Sequence, residues 1–329
     1  MKIFIVTEGG GNLGFGHITR MLSIYQALEE MGLVARFIIK GDDSVSNILK
    51  GAEHSIYDWT EQTGRFLKEI GGADLVFVDS YRATLTLYSE IKNAAIVAVY
   101  YDDFNRLNYP SGIVINGNIH SVDLDYPKSG NLEYLLGTKY LPLRREFWDI
   151  PEKNIKRDVE TIMVTFGGDD VRNLTPAVME FLTNNYPKWH KKVIVGKGFK
   201  NINGIEKKID KKTELIFNAD AKIMLETMLK SDLAISAGGQ TLYELARVGV
   251  PTIPIMVADN QLGNLEGFIK NGFFYEYYEW SDPDIAGKIS FYLKLLEGYE
   301  KRKEISELGR RLIDGNGSRN IVRKVFEMW

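Results

Sequence analysis

Gly14-Phe15-Gly16-His17-Ile18-Thr19-Arg20 follows the apolar run Ile3-Phe4-Ile5-Val6, with Gly9-Gly10-Gly11 between them. A strand that breaks into glycines and then opens a helix points free backbone N–H groups beyond the strand end, a ready site for phosphate or another anion. His17 falls in the first turn of that helix. The positive end of the helix dipole there favours a neutral imidazole, and a neutral imidazole beside an anion cradle can act as a base towards a phosphate-linked substrate.

The same alternation runs outward from this segment. Short apolar runs at 2–7, 34–40, 74–78, 96–100 and 112–115 read as strands. Between them lie helical patterns, clearest over 17–31, where Ile18, Met21, Leu22, Tyr25 and Leu28 recur on one face. Strand, helix, strand in this order predicts a parallel sheet covered on both faces. A less regular stretch over 126–156 reads as the linker. The pattern then restarts with a strand at 161–166, the turn Gly167-Gly168-Asp169-Asp170 and a helix from about Asn173. Further strands are expected at 192–195, 214–217, 233–236 and 252–255, with helices at 221–230, 240–248 and 260–270. The C-terminal end reads as helical and is expected to pack across both domains.

Both halves therefore begin with strand, glycine turn and helix. The expected fold class is α/β, with two Rossmann-like doubly wound domains, 1–150 and 151–329, facing across a cleft. Ligand binds outside the carboxyl ends of the strands in such folds.

The 329 residues are 44% hydrophobic and 26% charged, with a formal net charge of −3. That balance gives no reason to expect a nucleic-acid partner. No apolar stretch approaches the roughly 20 residues a bilayer span needs, and the N-terminal run is too short for a signal-peptide core, so a cytoplasmic protein is expected. The absence of cysteine excludes disulfides and thiol catalysis. His17, His54, His120 and His190 are scattered without metal-ligand spacing. The doublets Asp102-Asp103 and Asp169-Asp170 read as loop starts or helix caps rather than a metal site. No metal and no cofactor are expected.

Gly9-Gly10-Gly11-Asn12-Leu13-Gly14 formally matches the dinucleotide pattern. That fingerprint needs an acidic residue about 20 residues further on, and the nearest acid, Asp42, lies well past that distance. The second glycine signal is Ile235-Ser236-Ala237-Gly238-Gly239-Gln240-Thr241, continuing as Leu242-Tyr243-Glu244-Leu245-Ala246. The helix opening near Gln240 can meet a diphosphate. Thr241 and Glu244 lie one turn apart, where a carboxylate can accept both hydroxyls of a ribose; a solvent-facing glutamate fits the spacing equally well. Arg20 shares a face with His17 and reads as a phosphate partner or a solvated surface charge. Asp79-Ser80-Tyr81 ends the run Leu75-Val76-Phe77-Val78, where site residues collect. Asn260-Gln261 can read sugar hydroxyls or an acetamido group, or cap the next helix.

Taken together, Gly14 to Arg20, Asp79-Ser80-Tyr81, Phe166 to Asp170 with Asn173, the 235–246 segment and Asn260-Gln261 resemble one family in order and spacing. It is the UDP-2,4-diacetamido-2,4,6-trideoxy-β-L-altropyranose hydrolase of pseudaminic acid biosynthesis, with the related glycosyltransferase-like spore-coat polysaccharide proteins. The resemblance extends through Leu136-Gly137-Thr138-Lys139-Tyr140 and Leu143-Arg144-Arg145-Glu146-Phe147. It implies a GT-B fold and metal-independent cleavage of a UDP-sugar by water, with inversion at the anomeric carbon. It also implies roles for His17 as the catalytic histidine and Tyr81 as the active-site tyrosine. Glu244 would hold the uridine ribose, Gly238, Gly239, Gln240 and Thr241 the diphosphate, and Asn260 and Gln261 the sugar. Gly14, Gly16, Arg20, Asp79, Gly168, Asp169 and Asn173 complete the substrate-binding set that the motifs imply. Thr7-Glu8-Gly9-Gly10-Gly11 stands where many members carry small polar residues, and is similar to the peptidoglycan N-acetylglucosaminyltransferase instead. The alternative expectation is a GT-B glycosyltransferase using a UDP-amino-sugar donor, with His17 deprotonating an acceptor hydroxyl. The UDP-sugar is the expected partner, without nucleic acid or membrane.

Overall fold

The computed structural model describes residues 1–11, 13–49, 51–127 and 130–328; Asn12 of the glycine run lies outside them. The chain divides into two compact units, Met1–Trp148 with Gly315–Trp329 and Asp149–Asp314.

Unit 1 runs β1 (Ile3–Gly9), α1 (Gly16–Glu30), β2 (Ala35–Gly41), α2 (Ser46–Leu49), β3 (His54–Ile56), α3 (Thr63–Ile70) and β4 (Ala73–Asp79), then α4 (Leu85–Ala94), β5 (Ala95–Tyr101), β6 (Gly112–Asn116) and β7 (Leu132–Leu136). Among the described residues these strands form one parallel sheet in the order β3-β2-β1-β4-β5-β6-β7. The chain starts in the middle, winds outward to β3, and returns to the other side at β4. The switch in direction lies between β1 and β4, where Thr7 stands opposite Asp79. Ligands of doubly wound sheets bind at such a point.

The sequence explains why these segments pack. Leu75, Val76, Phe77 and Val78 are all buried, because helices cover both faces of the strand and leave no polar side. Ile18, Met21, Ile24 and Leu28 give α1 one apolar stripe, also buried. On one side of the sheet, Trp59, Phe66, Val76, Tyr88 and Tyr100 join one cluster. The Trp59 indole N–H satisfies the Thr7 carbonyl at 2.9 Å.

Unit 2 runs β8 (Thr161–Thr165), α5 (Thr175–Asn185), β9 (His190–Val195), α6 (Ile202–Glu206), β10 (Thr213–Phe217), α7 (Ala221–Leu229), β11 (Leu233–Ala237) and α8 (Gln240–Val248), then β12 (Thr252–Met256), α9 (Leu262–Lys270), β13 (Tyr278–Glu279), α10 (Ile285–Leu295) and α11 (Tyr299–Leu312). Its parallel sheet is ordered β10-β9-β8-β11-β12-β13, with the same switch between β8 and β11.

The final helix α12 (Gly317–Glu327) belongs to unit 1 and packs on α1. Ile321, Val322 and Val325 are fully buried, and Ser23 on α1 meets Ser318 at 2.6 Å.

The expected linker at 126–156 needs correction. Leu132–Leu136 is the edge strand β7, and Leu141, Leu143, Phe147 and Trp148 are buried in unit 1. β7 escaped notice because a short edge strand carrying Glu133 beside flanking glycines has neither a continuous apolar run nor clean alternation. The short strands β3 and β13 escaped for the same reason of length. Among the described residues no helix is long and apolar enough to cross a membrane.

Candidate functional site

In unit 1 the site grows from the ends of β1, β4 and β5. His17 stands in the first turn of α1, and Asp79 is the last residue of β4. The His17 Nδ1 lies 2.7 Å from Asp79 Oδ1. Arg20 Nη2 also lies 3.0 Å from Nδ1, but the shorter contact to the carboxylate needs a donor, so Nδ1 carries the proton and the lone pair stands on Nε2. Among the described residues no hydrogen bond to Nε2 is recorded, and the side chain keeps 14% of its surface exposed.

Arg20, one turn along, clamps Asp79 from the other side. Its Nε donates to Asp79 Oδ2 at 2.5 Å and its Nη2 to Oδ1 at 2.6 Å. Its Nη1 donates to Asp103 Oδ2 at 2.8 Å, and the guanidinium lies 4.0 Å over the Tyr101 ring. Burial alone would weaken the Arg20 charge, but Asp103 and Asp79 outweigh it and hold the guanidinium protonated above its usual range. Burial alone would likewise raise the Asp79 pKa. Arg20 and then His17 outweigh that and keep the carboxyl below the usual range.

Tyr81 completes the group. Its hydroxyl donates to Asp103, and its ring meets the His17 ring edge-on at 4.5 Å and 78°. Burial first, then the Asp103 charge, pushes the phenol upward, so it stays a donor. Asn118 Nδ2 fills the other oxygen of Asp103 at 2.9 Å. Glu8, at the end of β1, accepts from the Tyr81 N–H at 2.9 Å and from Ser80 Oγ at 3.1 Å. The unusual Thr7-Glu8-Gly9 segment thus supplies the carboxylate that shapes the loop carrying Tyr81.

Three expectations change here. Asp79 has no exposed surface and is bonded to His17 and Arg20, which leaves none of it open to the substrate contact expected of it. Arg20 is tied to two carboxylates and is neither a solvated charge nor an uncommitted phosphate partner. Among the described residues, the N–H groups of Gly10, Gly11 and Leu13 are not open to an anion either. Gly10 N–H bonds the Gly14 carbonyl at 3.0 Å, Leu13 N–H bonds Gly10, and Gly11 N–H bonds Asp42 Oδ2 at 2.9 Å. Gly10 has φ +144°, and a Cβ on it would sit 2.4 Å from Asp42 Oδ2, so only glycine closes this loop. Gly16 begins α1 itself. Reading the sequence did not single out Asn118, took Asp103 as part of a loop start or helix cap, and gave Glu8 and Ser80 no role of their own. For Asp103 the available signal was its place at the carboxyl end of β5.

In unit 2 the corresponding switch point lies between the loops after β8 and β11, with Thr165 opposite Ser236. Gly239 caps α8 and Gln240 opens it, so the N–H end of that helix faces outward past the strand end. Glu244 is buried, which removes the solvent-facing reading; Thr241 is half-buried. Gln261 Oε1 accepts from Gly238 N–H at 3.2 Å and Val257 N–H at 3.0 Å, tying the ends of β11 and β12 together. Its carbonyl therefore serves the loop rather than a sugar. Asn260 is exposed.

Asp170 accepts from the N–H groups of Leu174 and Thr175, both at 2.9 Å, and so holds the chain where it enters α5. Gly168 accepts from Gly198 N–H at 3.0 Å, and Asn173 Oδ1 from Asn201 Nδ2 at 3.0 Å. Asp169 and Asn173 line a cavity of about 380 Å³ with Gly198 and Lys200. Arg172, unremarked in the sequence, donates to the Val257 carbonyl at 2.9 Å and stacks 4.3 Å over Trp280. Among the described residues no group of three or more His, Cys, Asp or Glu could hold a metal ion.

No protein-family model matches the chain. It is 25% identical over 284 residues to an uncharacterized protein of Methanocaldococcus jannaschii, covering 82% of this chain and 58% of that one. It is 25% identical over 332 residues to the spore coat polysaccharide biosynthesis protein SpsG of Bacillus subtilis, covering 96% of this chain and 95% of that one. It is 23% identical over 265 residues to a Helicobacter pylori protein named pseudaminic acid cytidylyltransferase and UDP-2,4-diacetamido-2,4,6-trideoxy-β-L-altropyranose hydrolase, covering 79% of this chain and 45% of that one. The chain thus spans only about half the length of the first and third relatives. Among solved structures it resembles MurG of Acinetobacter baumannii (TM-score 0.67, 14% identity, 100% of both chains). It also resembles UGT89C1 of Arabidopsis thaliana complexed with UDP (TM-score 0.69, 11% identity, 99% of both chains). These likenesses and the two sheets establish the GT-B fold.

Proposed function

We propose that the protein hydrolyses a UDP-linked diacetamido-trideoxy sugar to free sugar and UDP, with His17 activating the water. The observation that carries this reading is the His17–Asp79 pair at the β1/β4 switch of unit 1, which leaves Nε2 as a base at the carboxyl edge of the sheet. The names of the Bacillus and Helicobacter relatives support the substrate class. The reading divides the work by unit. Unit 2 offers the N–H end of α8 at Gly238-Gly239 to a diphosphate and Glu244 to a ribose, and unit 1 holds His17 and Tyr81.

In the reaction, a water oxygen attacks the anomeric carbon opposite the departing UDP, and Nε2 takes a water proton. The C1–O bond breaks with its electron pair leaving on the diphosphate. UDP is already a good leaving group, so stabilising its charge matters more than protonating it, and oriented helix amides do that without reorganisation. Asp79 steadies the imidazolium that forms.

The test is UDP release from UDP-2,4-diacetamido-2,4,6-trideoxy-β-L-altrose with no acceptor present. Wild-type protein is expected to release UDP quickly. His17→Ala is expected to lose turnover while UDP still raises its melting temperature. Near-normal activity in the variant would remove His17 from the mechanism. Slow wild-type release that an added sugar acceptor accelerates would make the protein a glycosyltransferase.

A further inference from the structure

Phe104 follows Asp103 at the carboxyl end of β5, and the two neighbours point to opposite destinations. Asp103 turns inward to Arg20, Tyr81 and Asn118. Phe104 turns outward and leaves 48% of its surface exposed. The turn that presents it is well held. Asp102 Oδ1 accepts from the Arg106 N–H at 3.2 Å, and Asn105 takes φ +53° with its Nδ2 bonded to the Asp125 carbonyl at 2.8 Å.

The Phe104 ring lies 5.9 Å from that of Tyr81, which is itself 45% exposed and meets His17 at 4.5 Å. Phe217 and Phe291 are about as exposed, but among the described residues neither pairs its ring with one beside His17, and single exposed apolar side chains are ordinary. Two adjoining aromatic rings beside a base are a different matter. The Tyr81 hydroxyl is committed to Asp103, so the surface this pair offers is apolar ring.

We infer that Phe104, with the exposed part of Tyr81, forms the apolar wall of the sugar site and selects donors whose exocyclic carbon is a methyl rather than a hydroxymethyl group. The inference rests on the nucleotide-sugar reading above. Aromatic faces carry negative potential and attract C–H groups of a sugar edge. A hydroxyl pressed against the same wall loses water and gains no partner. Nothing in the reaction passes through Phe104; it is a specificity contact.

The experiment compares two UDP-diacetamido sugars that differ only in bearing CH₃ or CH₂OH at C5, with wild type, Phe104→Ala and Phe104→Leu. Wild type is expected to favour the methyl donor in kcat/KM by roughly 10- to 100-fold, the range that one such group supports in an apolar pocket. Phe104→Ala is expected to bring that ratio near one by raising KM for the methyl donor, and Phe104→Leu to restore most of it. Saturation-transfer NMR with the free 6-deoxy diacetamido sugar gives a readout independent of turnover. Its methyl signal is expected to receive saturation from aromatic protons in wild type and to lose it in Phe104→Ala. Turnover with an unchanged donor ratio in Phe104→Ala overturns the wall and leaves the hydrolase reading standing. No turnover of either donor, with a Phe104-dependent methyl signal, overturns the hydrolase reading and supports the wall. Loss of both overturns both.

Discussion

His17 is useful because of what stands behind it. An isolated histidine at a helix start has two interchangeable tautomers, but Asp79 at 2.7 Å from Nδ1 selects the one with the lone pair on Nε2. Asp79→Asn keeps the shape and removes the charge. Turnover is expected to fall about 10²- to 10⁴-fold in kcat with little change in KM. Removing one charge from a buried pair also costs about 3–5 kcal/mol, so kinetics belong well below the variant's own unfolding midpoint. A kcat loss smaller than about tenfold would make Asp79 a purely structural residue. At this scale the sequence pointed to His17 and Tyr81. It misassigned Asp79 and Arg20, because no spacing along a chain reveals that four charged and polar groups from three strand ends share two carboxylates.

Elements bring those residues together through strand ends, and the strongest sequence signals were the central ones. β4, β8, β11 and α8 were legible from continuous apolar runs and glycine turns, since buried parallel strands need no polar face. Of the edge strands, β10 was legible, whereas β3, β7 and β13 were not. Helix ends also carry chemistry of their own. Lys153, outside any named element, donates from Nζ to the carbonyls of Met228 at 3.1 Å and Leu229 at 2.9 Å, at the C-terminal end of α7. Burial pulls its pKa from 10.5 down to about 8, only partly offset by Asp232. Between those values the unfolded chain binds a proton that the folded chain does not, so this amine makes stability rise with pH across that window. Denaturant unfolding of wild type and Lys153→Met should therefore show a stability difference that moves in favour of wild type from pH 8 to pH 10. A difference that stays flat over that range would mean the amine is not depressed.

At the scale of the molecule, each unit is a doubly wound sheet completed on its own terms, and unit 1 is closed by the chain's last helix. α12 covers α1 with Ile321, Val322 and Val325, and Ser23 bonds both Ser318 and the Leu143 carbonyl. Burying three aliphatic side chains supplies about 5–9 kcal/mol, comparable to the whole stability of a domain. A chain ending at Asp314 is therefore expected to lose folded unit 1, seen as rapid proteolysis of residues 1–148, while 149–314 stays resistant. Equal resistance of both segments would show that α12 is dispensable.

The sequence by itself determined the fold class and marked the two strand-turn-helix segments on which the proposed function rests, because hydrophobic period and glycine turns are local properties that act within a dozen residues. It also carried His17, Tyr81 and the α8 turn to their strand ends. What only the tertiary structure decided was the partnership behind them: the tautomer of His17, the double commitment of Arg20, the closing of the glycine loop by Asp42, and the outward ring of Phe104. Those depend on the strand order β2-β1-β4-β5, which sets residues as far as 83 positions apart within hydrogen-bond reach. Hydrogen bonds and ion pairs act over only a few ångströms, so their assignment has to wait until the sheet has been wound.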